Sequence, residues 1–313
     1  MTWCGSTAFR SKCSTTACIT TTMPTAKTPP ATTGSTGSRT ADPMPAILQY
    51  EFMVRALIGG VLVGALAPVL GTFLVLRRFS LLSDTLAHVA LFGVAVGFAV
   101  NVYPTLTTFI AVTIAAVVME LLRSRGRLPG DAVLAVALYS SLAAAVVVIS
   151  AAQGFNVDLL SFLFGSILTI TELDLWLLAG LAFFVVVGVT AFFTELAQTS
   201  FDDALARVSG IKVDWVNLGL AVLAAATITL AMRIMGVLLV GALIVIPVLV
   251  GQGVTNSLRT AIIVSSIVGI ISTVTGLALA FYRDIPGGGA IVLVAVAMLV
   301  LSIAWRRFRR RSS

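Results

Sequence analysis

An acid and an imidazole lie four residues apart in the stretch Asp84-Thr-Leu-Ala-His88. His88 is the only histidine among the 313 residues, and the sequence around it is strongly apolar. In a helix, a four-residue step places both side chains on one face, about 5–6 Å apart at Cβ. Carboxylate oxygens and imidazole nitrogens are ligands that divalent cations such as zinc and manganese accept. The pair therefore predicts part of a metal-binding site.

The same two residues also allow a structural interpretation. Asp84 could cap the N-terminus of the following helix, and His88 could bond to a neighbouring carbonyl. Against this, an ionised aspartate near the middle of a membrane helix costs about 2.5–3.5 kcal/mol on insertion scales. Charges of that cost usually face a water-filled path or a partner, and by default they indicate function. The spacing alone leaves both interpretations open.

Composition assigns the chain to the integral membrane proteins. Hydrophobic residues make up 58% and charged residues 11%, with a mean hydropathy of +1.07, whereas a soluble domain carries about 25% charged residues. Apolar runs of about 20 residues predict helices rather than barrel strands. The net charge of +7 does not indicate a nucleic-acid partner, because five arginines lie in the last eight residues, beside an apolar run. The fold class predicted is an all-α polytopic membrane bundle.

Nine apolar segments predict eight or nine membrane spans, since the second and third are separated only by the tight turn Asn101-Val-Tyr-Pro104. A tenth segment, 159–170, is too short to cross about 30 Å of hydrocarbon, so we expect a half-helix there. The nine segments are 52–76, 86–101, 103–122, 132–152, 173–193, 213–232, 235–250, 258–281 and 288–305.

Positive charges orient these spans. If the loops after spans one, three, five and seven face the cytoplasm together with the C-terminus, that side holds 13 Lys and Arg residues and the other side holds three. Because cytoplasmic loops carry the excess of Lys and Arg, this orientation is the expected one. It puts Asp158, Glu172 and Asp174 outside and the polar stretch 195–212 inside.

The two ends of the chain differ from the membrane domain, which we place at 46–305. Residues 1–45 are rich in Thr, Ser, Pro and Gly without apolar periodicity, which predicts a disordered tail or a segment upstream of the true start. Met44 is the start that we expect. All three cysteines lie in this tail, in no metal-binding pattern. Residues 306–313 form a basic cytoplasmic tail.

One polar connection on the cytoplasmic side, 200–212, has helical character. Asp202 and Asp203 suit a helix N-terminus, where the helix dipole favours anions. Gly210 suits the C-terminal cap, and a small apolar face is formed by Ala204, Leu205 and Val208. Such a helix is either a solvated loop or an element that docks in a groove of a cytoplasmic partner.

The chain has no motif for ATP hydrolysis. A Walker A pattern does not occur, and there is no second histidine and no Ser/His/Asp set of sensible geometry. We therefore predict that the chain is not an enzyme. If transport is driven by ATP, the ATPase must be a separate subunit.

Four stretches, in order, resemble the permease subunits of metal-ion ABC importers of the zinc/manganese type, over about residues 46–305. The first, 74–97, contains Asp84 and His88 and looks like the signature of the family. The others resemble its short segment ahead of the fifth span, its cytoplasmic coupling helix and its late Gly/Pro-containing span, and they are 157–168, 201–213 and 236–247.

The resemblance implies a type II ABC importer fold in the cell membrane. It implies a permease homodimer, two cytoplasmic ATP-binding subunits and an extracytoplasmic metal-binding protein, with zinc or manganese as transported ion and no permanently bound cofactor. Asp84 and His88 match the acid and imidazole that meet the metal in its path. The ATPase-coupling region carries over to Asp202, Asp203, Arg207 and Gly210.

Two other functions remain as alternatives. A siderophore or cobalamin-type importer permease would share the architecture but would be expected to have a wider path without the Asp-x-x-x-His pair. An ion-coupled secondary transporter would need no ATPase.

A two-fold dimer could bring two Asp84 and two His88 together, a ligand set compatible with zinc, manganese or ferrous iron.

Overall fold

A computed structural model of the chain describes residues 51–77, 79–124, 129–151, 170–283 and 285–311, with side chains as far as Phe308. Within these ranges the chain forms eleven helices and no strand. They are α1 (Glu51–Leu76), α2 (Ser80–Ala99), α3 (Pro104–Ser124), α4 (Gly130–Ala151), α5 (Glu172–Ala191), α6 (Phe193–Phe201), α7 (Asp203–Val208), α8 (Val213–Met235), α9 (Val237–Val254), α10 (Leu258–Arg283) and α11 (Gly287–Arg311).

Nine of the helices in the described ranges are long and apolar enough to cross a membrane, all except α6 and α7. The all-α polytopic fold is thereby confirmed, with each of the nine predicted segments matched by one helix. The largest differences are six residues: α2 begins at Ser80 rather than near residue 86, and α11 ends at Arg311 rather than near residue 305. The predicted half-helix at 159–170 and the tail at 1–45 lie outside the described residues, except for Ile170.

Burial divides the spans into central and peripheral helices. In the most apolar 18-residue window of α1, α2 and α8, 67% of the residues are buried, and in α9 half are. For α3, α4 and α5 the buried share is only 22%. Lipid offers no hydrogen bonds, but a helix satisfies its own backbone polar groups. The apolar side chains of a peripheral helix can therefore face lipid without leaving a backbone polar group unsatisfied. The central helices α1, α2, α8 and α9 therefore form the part of the bundle that can enclose a polar site.

Small residues let α1 and α10 approach closely. A Cβ atom on Gly269 would lie 2.1 Å from the Gly64 carbonyl oxygen, and one on Gly64 would lie 2.8 Å from the Gly269 carbonyl oxygen. Neither helix can carry a side chain there, because the contact joins backbone to backbone. The Gly60-x-x-x-Gly64 spacing is thus a helix-packing feature, as small residues at this spacing commonly are in membranes.

Helix ends expected on the same side of the membrane contact one another. At the outer side, Arg55 near the start of α1 pairs with Glu172 at the start of α5, at 3.0 Å. Arg233 at the end of α8 pairs with Asp174, at 2.7 Å. At the inner side, Arg306 of α11 donates to the Gly253 carbonyl near the end of α9. These contacts agree with the alternation of loops deduced from the charges.

Candidate metal path and coupling helix

Helix α2 carries the acid and the imidazole in its cytoplasmic half. Its N-terminal cap is Phe79, which makes no side-chain capping bond. Asp84 lies four residues, about 6 Å along the axis, after the first helical residue Ser80. An N-cap residue lies outside the helix and accepts from the next turn, so Asp84 does not cap α2. The interpretation of this acid as the N-cap of α2 is therefore wrong.

The two side chains face each other as the four-residue spacing predicts. His88 Nε2 lies 3.9 Å from Asp84 Oδ1. The Asp84 side chain is 45% exposed and that of His88 is 17% exposed, so the carboxylate is open on one side while the imidazole is mostly enclosed. His88 Nδ1 is buried and has no hydrogen-bond partner among the described residues. The Asp84 carboxylate thus stays partly accessible to a ligand, and the enclosed imidazole keeps one ring nitrogen without a partner among the described residues.

The Asp84 carboxylate lies beside α9. The nearest atoms to a Cβ built on Gly241 are Asp84 Oδ1 at 3.9 Å and Ser83 Oγ at 4.0 Å. The Ser83 hydroxyl donates to the Ser80 carbonyl and keeps its oxygen lone pairs free to accept. Helices α2 and α9, from two distant parts of the sequence, therefore meet at the Asp84 carboxylate.

The described part of one chain holds no group of three or more His, Cys, Asp or Glu side chains placed to bind a metal. A closed structural zinc site needs four protein ligands, and Asp84 and His88 supply two. The pair fits an ion that passes, keeps water ligands or gains ligands from another chain, rather than an ion held permanently.

Helix α7 has the ends that its sequence predicts. Asp202 is the N-cap and its carboxylate accepts from the backbone N–H groups of Ala204 and Leu205. Gly210 follows the C-terminus with φ +84°, the left-handed conformation that glycine adopts without steric cost. These two residues shape the short helix.

The charged side chains of α7 are engaged within the chain. Asp203 Oδ2 lies 3.9 Å from Arg123 Nη1 at the end of α3, and the Asp203 side chain is 45% exposed. Arg207 donates to Asp214 at 2.6 Å, and both side chains are more than half exposed. Asp203 therefore faces the membrane domain, whereas Arg207 forms a surface ion pair.

The apolar face of α7 faces away from the chain. Leu205 is 68% exposed and Val208 is 89% exposed, and Phe201, which precedes the helix, is 70% exposed. Ala206 is the residue that packs inward. Contiguous apolar side chains exposed to water commonly mark an interaction site, so the arrangement suits a surface that a partner covers.

Two half-buried arginines connect the α6–α7 segment to the first two spans. Arg77, directly after α1, donates to Ser200 and Thr199 of α6 and to Asn217 of α8. Burial lowers the pKa of the Arg77 guanidinium to about 10, so it remains a cation at neutral pH. Arg123 lies over the Phe79 ring, 4.6 Å from its centroid, and pairs with Glu120 at 2.7 Å.

These contacts were not foreseen from the sequence. Arg77 and Arg123 contributed to the predicted orientation only as positive charges, yet Arg77 joins the end of α1 to α6 and α8, and Arg123 joins α7 to the residue that precedes α2. The only signal in the sequence was their place at the cytoplasmic ends of α1 and α3, close to the Asp84 motif and to a polar loop.

Comparison with known proteins assigns the family. The model of the ABC 3 transport family matches residues 49–306. The chain belongs to this family. It is a permease subunit of an ABC transporter, a multi-pass protein of the cell membrane and not itself a catalytic subunit.

Individual relatives agree along most of their length. The chain is 30% identical over 259 residues to the manganese transport system membrane protein MntC of Listeria monocytogenes, covering 82% of this chain and 91% of that protein. It is 28% identical over 256 residues to the MntC protein of Halalkalibacterium halodurans, covering 82% and 88%.

A solved structure, PsaBC from Streptococcus pneumoniae in complex with a Fab, matches with a TM-score of 0.73. The match is 28% identical and covers 82% of this chain and 92% of the other.

Proposed function

We propose that this chain is the permease subunit of an ATP-driven importer for a divalent first-row metal ion, and that Asp84 and His88 are transient ligands in the ion's path. The observation that carries the proposal is the pair itself: an acid and the only imidazole, 3.9 Å apart in a membrane helix. The carboxylate is partly exposed and lies beside Gly241 of α9, and an imidazole nitrogen lacks a partner among the described residues.

The ligand types favour manganese or zinc as the ion. Carboxylate oxygen and imidazole nitrogen suit Mn²⁺, Fe²⁺ and Zn²⁺, while Cu(I) prefers thiolate and thioether ligands. Relatives named as manganese transport proteins support manganese first. A siderophore or cobalamin-type importer would have no use for an exposed carboxylate beside an imidazole, and the membership of an ABC family speaks against a secondary transporter.

A second copy of the chain would complete the ligand set. Two protomers about a two-fold axis that brings their α2 helices together would supply two carboxylates and two imidazoles. Such a homodimer would bind two ATP-binding subunits on the cytoplasmic side and one extracytoplasmic metal-binding protein. We also propose that residues 46–305 form the transport domain, and that 1–45 contributes nothing to transport.

Radiolabelled ion uptake tests this function. In cells lacking the permease but retaining the ATPase and the binding protein, expression of this chain should restore accumulation of ⁵⁴Mn or ⁶⁵Zn at submicromolar concentrations. A Walker A lysine substitution in the ATPase should remove that uptake. Accumulation of neither ion, with the complex assembled in the membrane, would refute the function.

We further propose that the ATPase docks on α7, the region of Asp202, Asp203, Arg207 and Gly210. Asp202 and Gly210 lie at the two ends of this helix. Arg207 joins its C-terminal end to α8 through the ion pair with Asp214. Asp203 joins its N-terminal end to Arg123. The exposed Leu205 and Val208 would be the contact that enters a groove of the ATPase. Movement of α7 on ATP binding would reach α2 through Arg123 and Phe79.

Loss of the Arg123 side-chain charge should uncouple ATP hydrolysis from transport. We expect Arg123→Gln to reduce metal uptake several-fold without reducing ATPase binding, because it removes the charge opposite Asp203 and weakens the contact with Phe79 but leaves Leu205 and Val208 unchanged. Uptake and ATPase co-purification would be measured on one preparation.

Arg207→Gln is the matched control. It breaks an exposed ion pair of the same helix, and exposed pairs contribute only about 0–1 kcal/mol, so uptake should change less than two-fold. Equal losses of uptake in the two variants would contradict a coupling role for Arg123.

A further inference from the structure

Gly241 differs from Gly71 and Gly93, two glycines on the central helices α1 and α2, in what surrounds it. A Cβ on Gly71 would lie 2.1 Å from a backbone oxygen of α9, and one on Gly93 would lie 2.7 Å from a backbone atom of α3. Those glycines are required for helix packing. A Cβ on Gly241 would meet nothing nearer than Asp84 Oδ1 at 3.9 Å and Ser83 Oγ at 4.0 Å, which is ordinary contact distance. Packing therefore does not require glycine at this position.

The atoms of α2 that face Gly241 are polar. The two atoms that border it are a carboxylate oxygen and a hydroxyl oxygen, in a bundle whose interior is otherwise mainly apolar. The same Asp84 oxygen lies 3.9 Å from His88 Nε2. Gly241 is itself half-buried, so this space is neither filled by the protein nor sealed from outside.

We propose that Gly241 lines the ion path opposite Asp84, and that the missing side chain leaves the room in which the ion and its water ligands pass the carboxylate. This inference rests on the proposed role of Asp84 and adds a residue of α9 to the path. A hydrated Mn²⁺ or Zn²⁺ needs space for oxygen ligands at about 2.0–2.2 Å from the metal. A branched side chain at residue 241 would extend from a Cβ that already lies at contact distance from Asp84 Oδ1, and it would occupy that space.

Side-chain size is tested first, in the complete complex with its ATPase. Gly241→Ala should assemble normally, because its methyl group reaches only contact distance, and Gly241→Val should assemble but take up at least ten-fold less ⁵⁴Mn. Gly180 of α5 is the control position, since a Cβ there meets no atom within 4 Å. Gly180→Val should keep uptake within two-fold of the wild type.

Thiol chemistry gives a second measurement that does not depend on transport. With Cys4, Cys13 and Cys18 replaced by Ser, a thiol introduced by Gly241→Cys would lie beside Asp84 and His88, and Asp, His and Cys are all zinc ligands. A water-soluble maleimide should label it in the purified complex, and micromolar zinc should slow labelling at least ten-fold. Adding Asp84→Asn should abolish this protection, and zinc should not protect the Gly180→Cys thiol.

The outcomes separate the two proposals. Wild-type uptake by Gly241→Val, or a Gly241→Cys thiol that is unlabelled or unprotected by zinc, overturns the place of Gly241 in the path. If Asp84→Asn alone transports normally, the proposed role of Asp84 and His88 as ligands fails instead, while the transport function stands. Loss of assembly in Gly241→Ala would also overturn the inference, because it would make Gly241 a packing residue.

Discussion

Replacing Asp84 with asparagine should reduce ⁵⁴Mn and ⁶⁵Zn accumulation at least ten-fold, to the level of cells without the permease. The amide has the same size and can still hydrogen-bond, but it lacks the charge that a divalent cation requires. Asp84 is not a helix cap, and in the described part of the chain His88 is its only ion-pair neighbour. Because removing a charge from a membrane helix lowers the cost of insertion, the variant should insert as well as the wild type.

The companion variant His88→Leu removes the imidazole nitrogens and keeps an apolar side chain, and it should lose uptake similarly. Asp131→Asn is the control, since Asp131 is an exposed acid in the first turn of α4 and its loss should change uptake less than two-fold. Uptake would be normalised to assembled complex, measured by co-purified ATPase. Normal uptake by Asp84→Asn would leave the pair without a role in transport.

The second large effect is expected at the cytoplasmic surface. Leu205→Asp combined with Val208→Asp should reduce ATPase co-purification by more than ten-fold while the spans remain folded. Burying one such side chain in a partner contributes about 1.5–3 kcal/mol, and each 1.4 kcal/mol is a factor of ten in affinity. Both side chains are more than two-thirds exposed, so the substitutions break no contact within the chain.

Pull-down of the ATPase from detergent-solubilised membranes, with permease yield and monodispersity recorded alongside, would measure this effect. Asp203→Asn is the informative comparison, because Asp203 faces Arg123 and its change should leave ATPase binding within two-fold. Wild-type binding by the Leu205/Val208 variant would mean that the apolar face of α7 is not the docking surface.

The sequence predicted the ends of α7 more accurately than it predicted the partners of its residues. The N-terminus at Asp202 and Asp203 follows from local preferences and is confirmed. Gly210, predicted as the C-terminal cap, lies one residue beyond the cap Ser209. The partners of Asp203 and Arg207 are Arg123 and Asp214. The first of these contacts joins residues 80 positions apart, so nothing local in the sequence could indicate it.

By itself, the sequence determined the membrane class, the nine spans and the approach of Asp84 to His88. Apolar run length fixes the spans because the bilayer has a fixed thickness, and helical periodicity brings residues four apart onto one face. Only the tertiary structure decided which helices are central, that Asp84 lies beside Gly241 of α9, and that Arg123 joins α7 to the residue that precedes α2. Those features depend on which helices pack side by side. The apolar pattern of one span does not indicate its packing partner, because the spans have similar hydropathy.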